Sequence, residues 1–152
     1  MKSSSRKSSQ SNIAKHLASF LADTYILYLK TQNFHWNIVD PRFYFLHKMF
    51  EEQYEELAEA VDVIAERLRG LGVKSPGSMK EFLSLTHLKE ASGQYSGNEM
   101  IKELLHDNQF ISQSLHDLIT EANDQGDDGT ADLYIDRVRV HQKAAWMLRS
   151  HL

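Results

Sequence analysis

The sequence predicts an all-α four-helix bundle with a short extra helix in the connection between its second and third long helices. Two prolines and seven glycines in 152 residues leave long stretches with no helix breaker. Apolar residues recur at three- and four-residue spacing along those stretches. A hydrophobic content of 41% and a charged content of 25% match a globular domain, and the length suffices for one core without staples.

The first helix is expected from about Ser11 to Trp36, on the spacing of Ile13, Leu17, Phe20, Leu21, Thr24 and Leu27. The run from Asn37 to Pro41 ends it, because proline lacks an N–H donor and biases Asp40 away from helix. Pro41 suits the first turn of a second helix, which meets no breaker before Gly70 and spans roughly 43 Å at 1.5 Å per residue. Ser78 with Glu81 has the spacing of a capping box and predicts a short helix over 79–85. Ser96 with Glu99 repeats that spacing ahead of a third long helix, whose apolar side holds Ile101, Leu104, Ile111, Leu115 and Leu118 as far as about Asn123. DQGDDGT is a turn, and a fourth long helix is expected from about Thr130 to Ser150. The segment between the second and third long helices is long enough to cross the bundle rather than return as a hairpin.

Two segments differ in charge. Residues 1–10 carry Lys2, Arg6 and Lys7 and no acid, among serines. The whole chain has 17 basic and 21 acidic residues, so removing those three bases leaves the rest at −7. The expectation is a flexible basic arm over 1–10 and a bundle domain over 11–152, the arm having the composition to touch a phosphate backbone. No stretch reads as a signal peptide or a membrane span, which predicts a cytoplasmic protein with no membrane partner.

The chemistry available is limited. There is no cysteine, which excludes disulfides, thiolate ligands and a thiol nucleophile. Phosphate-binding loops, dinucleotide fingerprints and serine elbows are absent as well. Carboxylates and histidines remain, the ligands suited to iron, manganese or zinc. An intrachain di-iron bundle needs Glu-x-x-His on two helices, and only Glu103–His106 matches. That pair reads as solvated helix surface.

The second helix carries His47, Glu51, Glu55, Ala58, Asp62 and Glu66 at spacings of three or four, which makes one stripe. His47 and Asp62 are roughly 22 Å apart along one helix, too far to share an ion within a chain. Against an antiparallel copy of the same helix, residues whose numbers add to 113 face each other, which sets His47 opposite Glu66 and Glu51 opposite Asp62. His35 lies before the tight turn that folds the end of the first helix beside His47. A solvated acidic stripe on a helical interaction protein is the competing reading of the same residues.

The order NFHWN at 33–37, D-P-x-F at 40–43, L-H-K-x-F-E-E at 46–52 and Y-E-E-L-A-E-A-V-D-x-I-A-E-R at 54–67 resembles the Dps family of ferritin-like proteins, the DNA-binding proteins of starved cells. The resemblance implies a ferritin-like subunit in a hollow dodecamer built from two-fold dimers. It implies a ferroxidase that oxidises Fe2+, preferably with hydrogen peroxide, stores ferric mineral and protects DNA. The family's ligands fall on His35 and His47 of one chain and Asp62 and Glu66 of its mate, with Glu51 helping to hold a second iron and zinc able to occupy the same site. Trp36 matches a tryptophan that intercepts oxidising equivalents. Asp128 and Asp132 match positions lining a three-fold pore, whereas Asn123 stands where some members have aspartate. Some members bind DNA through basic N-terminal arms, which makes Lys2, Arg6 and Lys7 the candidate DNA contacts and nucleoid condensation the alternative function.

Overall fold

The computed structural model describes the backbone of residues 2–152, with side chains from Asn12 onward. Its order is α1 (Lys2–Asn37), α2 (Phe43–Gly70), α3 (Met79–Leu85), α4 (Gly97–Asp124) and α5 (Asp128–Arg149), with no strand among the described residues. The α1–α2 and α4–α5 hairpins pack face to face, and α3 lies against α1. Four long helices and one short one is the expected architecture.

The boundaries differ in instructive ways. α1 begins at Lys2, ahead of the expected Ser11, so the helix takes in the segment read as an arm. The side chains of Lys2, Arg6 and Lys7 lie outside the described residues. Pro41 stays in the turn, and α2 begins two residues later with Arg42 at its N-cap. α5 starts at Asp128 because Asp127 accepts the Thr130 N–H and caps it, earlier than hydrophobic spacing alone suggests. The Ser96 box is complete: Ser96 accepts from Glu99 N–H while Glu99 accepts from Ser96 N–H. At α3 Ser78 accepts from Glu81 N–H, but Glu81 reaches back to Gly77 N–H, one residue earlier.

Two glycines terminate helices for a backbone reason. Gly72 and Gly126 have φ of 81° and 70°, and each sits just past a helix end. Val73 N–H returns to the Leu68 carbonyl and Asp127 N–H to the Ala122 carbonyl, which closes both ends in the left-handed conformation glycine adopts without strain.

The core runs the length of the bundle through Leu17, Leu21, Leu27, Leu46, Ile64, Leu68, Ile101, Leu104, Ile111 and Leu148. Buried Asp23 pins the crossover to α1, accepting from Thr86 Oγ1 at 2.7 Å, His87 N–H at 2.6 Å and His87 Nδ1 at 3.0 Å. No helix among the described residues is long and apolar enough to cross a membrane.

Candidate metal centre

The α1–α2 turn makes the site. Asp40 accepts from Arg42 N–H at 2.8 Å and Nε at 2.9 Å, and this hydrogen bonding lowers its carboxyl to about 2. The same guanidinium donates to the His151 carbonyl at 2.7 Å and to Asn98 Oδ1 at 2.8 Å, fastening the turn to both ends of the other hairpin. Gly97 lets Asp40 approach: a Cβ there would stand 2.2 Å from Asp40 Oδ2. The clamp fixes how α2 leaves the turn and therefore what faces the end of α1.

What faces it is His47. The rings of His35 and His47 stack with centroids 3.8 Å apart and planes 12° from parallel. His35 Nδ1 donates to the His47 carbonyl at 2.7 Å, and His47 Nδ1 donates to the His35 carbonyl at 2.8 Å. A carbonyl only accepts, so each Nδ1 carries its hydrogen, and in the neutral ring the lone pair is on Nε2. That is the tautomer a metal ligand requires, fixed by an outer partner.

Phe43 stacks on His47 at 4.9 Å, and Tyr54 meets His35 edge-on at 5.2 Å. Both rings were missed as site residues in the sequence, although Phe43 and Tyr54 lie four before and seven after His47 on one helix face. Burial, then the charges of Glu51 and Glu55, push the Tyr54 phenol up. Glu51 follows one turn after His47. Its hydrogen bond from Lys48 at 3.1 Å holds its carboxyl below the ordinary range, with the Lys48 charge adding to the effect.

Asp62 and Glu66 are exposed on the far part of α2. No group of three or more His, Asp or Glu within the chain is placed to hold a metal, among the described residues. The structure thus brings the two histidines together, while neither Glu51 nor Asp62 and Glu66 complete a ligand group with them within one protomer, among the described residues. Trp36 is 61% exposed and makes no ring contact with the histidine pair, among the described residues. Val39, Tyr44 and Phe45 are exposed as well, the last two in edge-on ring contact, and Val63 is exposed beside Asp62.

Glu103 and His106 do not converge. Glu103 lies 3.5 Å from Lys30 Nζ, and the His106 side chain is 81% exposed. The bundle interior holds cations instead: Lys30 pairs with Asp107 at 2.7 Å, and Arg137 chelates Glu56. Asp128 and Asp132 are exposed one turn apart at the start of α5, whose N-terminus Arg67 braces through Asp127 at 2.7 Å and Thr130 at 3.0 Å.

The architecture is that of a known class: a ferritin-like domain matches residues 14–152. The chain is similar to DNA protection during starvation protein 2 of Bacillus anthracis, 35% identical over 132 residues that cover 87% of this chain and 90% of that one. It superposes on Dps of Thermosynechococcus elongatus with a TM-score of 0.94 at 30% identity, covering 97% and 94% of the two chains. A Vibrio cholerae Dps protein, described as a member of a broad superfamily of ferritin-like diiron-carboxylate proteins, superposes at 0.90 with 29% identity over 94% and 90%. The chain belongs to the Dps family of ferritin-like proteins.

Proposed function

We propose that this protein oxidises Fe2+ at sites shared between two copies of the chain and stores the ferric product inside a closed assembly, removing the reagents that damage DNA. The observation that carries the reading is the stacked His35–His47 pair, each Nδ1 hydrogen held by a carbonyl, with no carboxylate pair of its own chain to complete a metal sphere among the described residues. Asp62 and Glu66 of a second chain supply that pair in an antiparallel α2–α2 contact, and Glu51 stands where a second, weaker iron would be held. The exposure of Trp36, Val39, Tyr44 and Phe45 near the histidine end, and of Val63 beside Asp62, is compatible with such a contact.

Fe2+ is the substrate rather than a resident group. Imidazole and carboxylate suit it, and a sphere of four protein ligands leaves room for peroxide. The names of relatives that protect DNA and the diiron-carboxylate superfamily support iron chemistry. A dodecameric cage, iron entry past Asp128 and Asp132, and interception of oxidising equivalents by Trp36 are parts of the same reading. Contact of the basic segment with DNA is a second reading, resting on three cations without an acid in the first ten residues.

The test is Fe2+ oxidation on adding hydrogen peroxide, followed by ferric absorbance. A variant lacking His35, His47, Asp62 and Glu66 is expected to oxidise iron no faster than buffer. An unchanged rate would overturn the site.

A further inference from the structure

The rings around the histidine pair do not stop at the site. His35 touches Tyr54 at 5.2 Å, Tyr54 lies 6.1 Å from Tyr28 across the α1–α2 contact, and Tyr28 lies 5.6 Å from Tyr25 one turn back on α1. Tyr25 then stacks on Phe82 of α3 at 4.7 Å, where the run of oxidisable rings ends. From His35 to Tyr25 the path follows α1 for about 15 Å. Trp36, adjacent in sequence, points outward and touches none of these rings, among the described residues.

We propose that Tyr54, Tyr28 and Tyr25 form a one-electron relay that carries an oxidising equivalent away from the iron site. The proposal rests on the iron-oxidising reading of that site. Hydrogen peroxide accepts two electrons and two protons to become two waters, while a single Fe2+ supplies one electron. When one iron is bound, the second electron comes from Tyr54, which becomes a neutral tyrosyl radical and releases its phenolic proton to the solvent that this half-buried ring reaches. Fe2+, one tyrosine, peroxide and one added proton thus yield Fe3+, a tyrosyl radical and two waters. Electron transfer from Tyr28 and then Tyr25 moves the radical along α1, each donor releasing its proton to the water around these half-buried rings and each reduced ring taking one up. A second Fe2+ later reduces the radical with uptake of one proton, so the sum is two Fe2+ oxidised per peroxide. The relay lets a half-filled site consume peroxide without releasing a hydroxyl radical beside the histidines.

A diffusible oxidant would mark tyrosines by exposure, whereas a relay marks them by connection. Tyr95 separates the two, being half-buried like Tyr25 but in ring contact only with Phe34, among the described residues. The experiment loads the full-chain protein with substoichiometric Fe2+ without oxygen, adds peroxide, and records the electron paramagnetic resonance signal, ferric absorbance and the oxidised tyrosines by peptide mass spectrometry. A tyrosyl signal is expected, with oxidation at Tyr54, Tyr28 and Tyr25 exceeding that at Tyr95 several-fold. Tyr28→Phe, which leaves the histidine pair untouched, is expected to keep the iron-oxidation rate, lose modification at Tyr25 and retain it at Tyr54. Iron oxidation with no tyrosyl signal, or Tyr25 modified equally in Tyr28→Phe, overturns the relay alone. Failure of the wild-type protein to oxidise iron overturns the site reading and the relay with it.

Discussion

His35 and His47 each donate a ring N–H to the other residue's main-chain carbonyl, at 2.7 and 2.8 Å. Because the acceptors are backbone atoms, His35→Ala removes one ring but leaves the carbonyl that orients the other. We expect that variant to lose Zn2+ affinity on the order of 100-fold or more, because it removes a ligand and disturbing even a ligand's outer partner costs about 10–100-fold. Its helical circular dichroism should be retained. Isothermal titration calorimetry measures the affinity, and an undiminished value would remove His35 from the ligand set.

Sharing of the site between chains has a quantitative signature. Chains carrying His35→Ala with His47→Ala are inactive alone, as are chains carrying Asp62→Ala with Glu66→Ala. Mixed and reassembled at random in equal amounts, half the dimers are hybrids and each hybrid keeps one intact site, so about a quarter of wild-type activity returns. A ligand set within one chain predicts no recovery at all.

Acid stability should depend on His141. It is fully enclosed, donates Nδ1–H to Asn108 Oδ1 at 2.9 Å and accepts from Arg137 Nη2 at 3.2 Å. Burial, then the Arg137 charge, hold its pKa well below 6.5. The folded ring stays neutral while the unfolded ring takes up a proton, so the stability from this group is complete above 6.5 and declines as pH falls below it toward the low folded pKa. Calorimetry should show Tm falling between about pH 7 and pH 5, with a shallower fall in His141→Gln. Equal slopes in the two proteins would refute the assignment.

Gly97→Ala tests the clamp behind the site. The new Cβ would stand 2.2 Å from Asp40 Oδ2, so Asp40 must move and loosen its bonds to Arg42. A loss of about 1–3 kcal/mol is expected in denaturant unfolding, the range for overpacking. Weaker Zn2+ binding should accompany it, because the turn that sets His47 beside His35 is displaced. Normal stability in this variant would show that the turn accommodates a side chain.

Much of the fold was legible in the chain. Ser96 and Glu99 announced α4 because a cap is a local hydrogen-bond pattern, and the apolar spacing of α1 and α4 reported which face turns inward. The α1–α2 turn was legible because Pro41 acts on its own neighbours. The start of α5 was misjudged by two residues, since the spacing of apolar residues does not reveal that Asp127 caps the helix. The arginine clamp on Asp40 was invisible for a related reason: Arg42 reaches residues 56 and 109 positions away, and no local pattern encodes such partners.

At the site itself, the sequence by itself determined which residues are available: two histidines flanking a tight turn, and carboxylates at helical spacing on α2. It also determined that His47 and Asp62 cannot share an ion within a chain, because the rise of a helix is constant. Only the tertiary structure decided which nitrogen of each histidine carries the lone pair, since the tautomer follows from carbonyls that meet the rings across an interhelical contact. It likewise decided that Tyr54 rather than Trp36 meets His35, because side-chain contact between helices depends on register and crossing angle, quantities that no single helix carries.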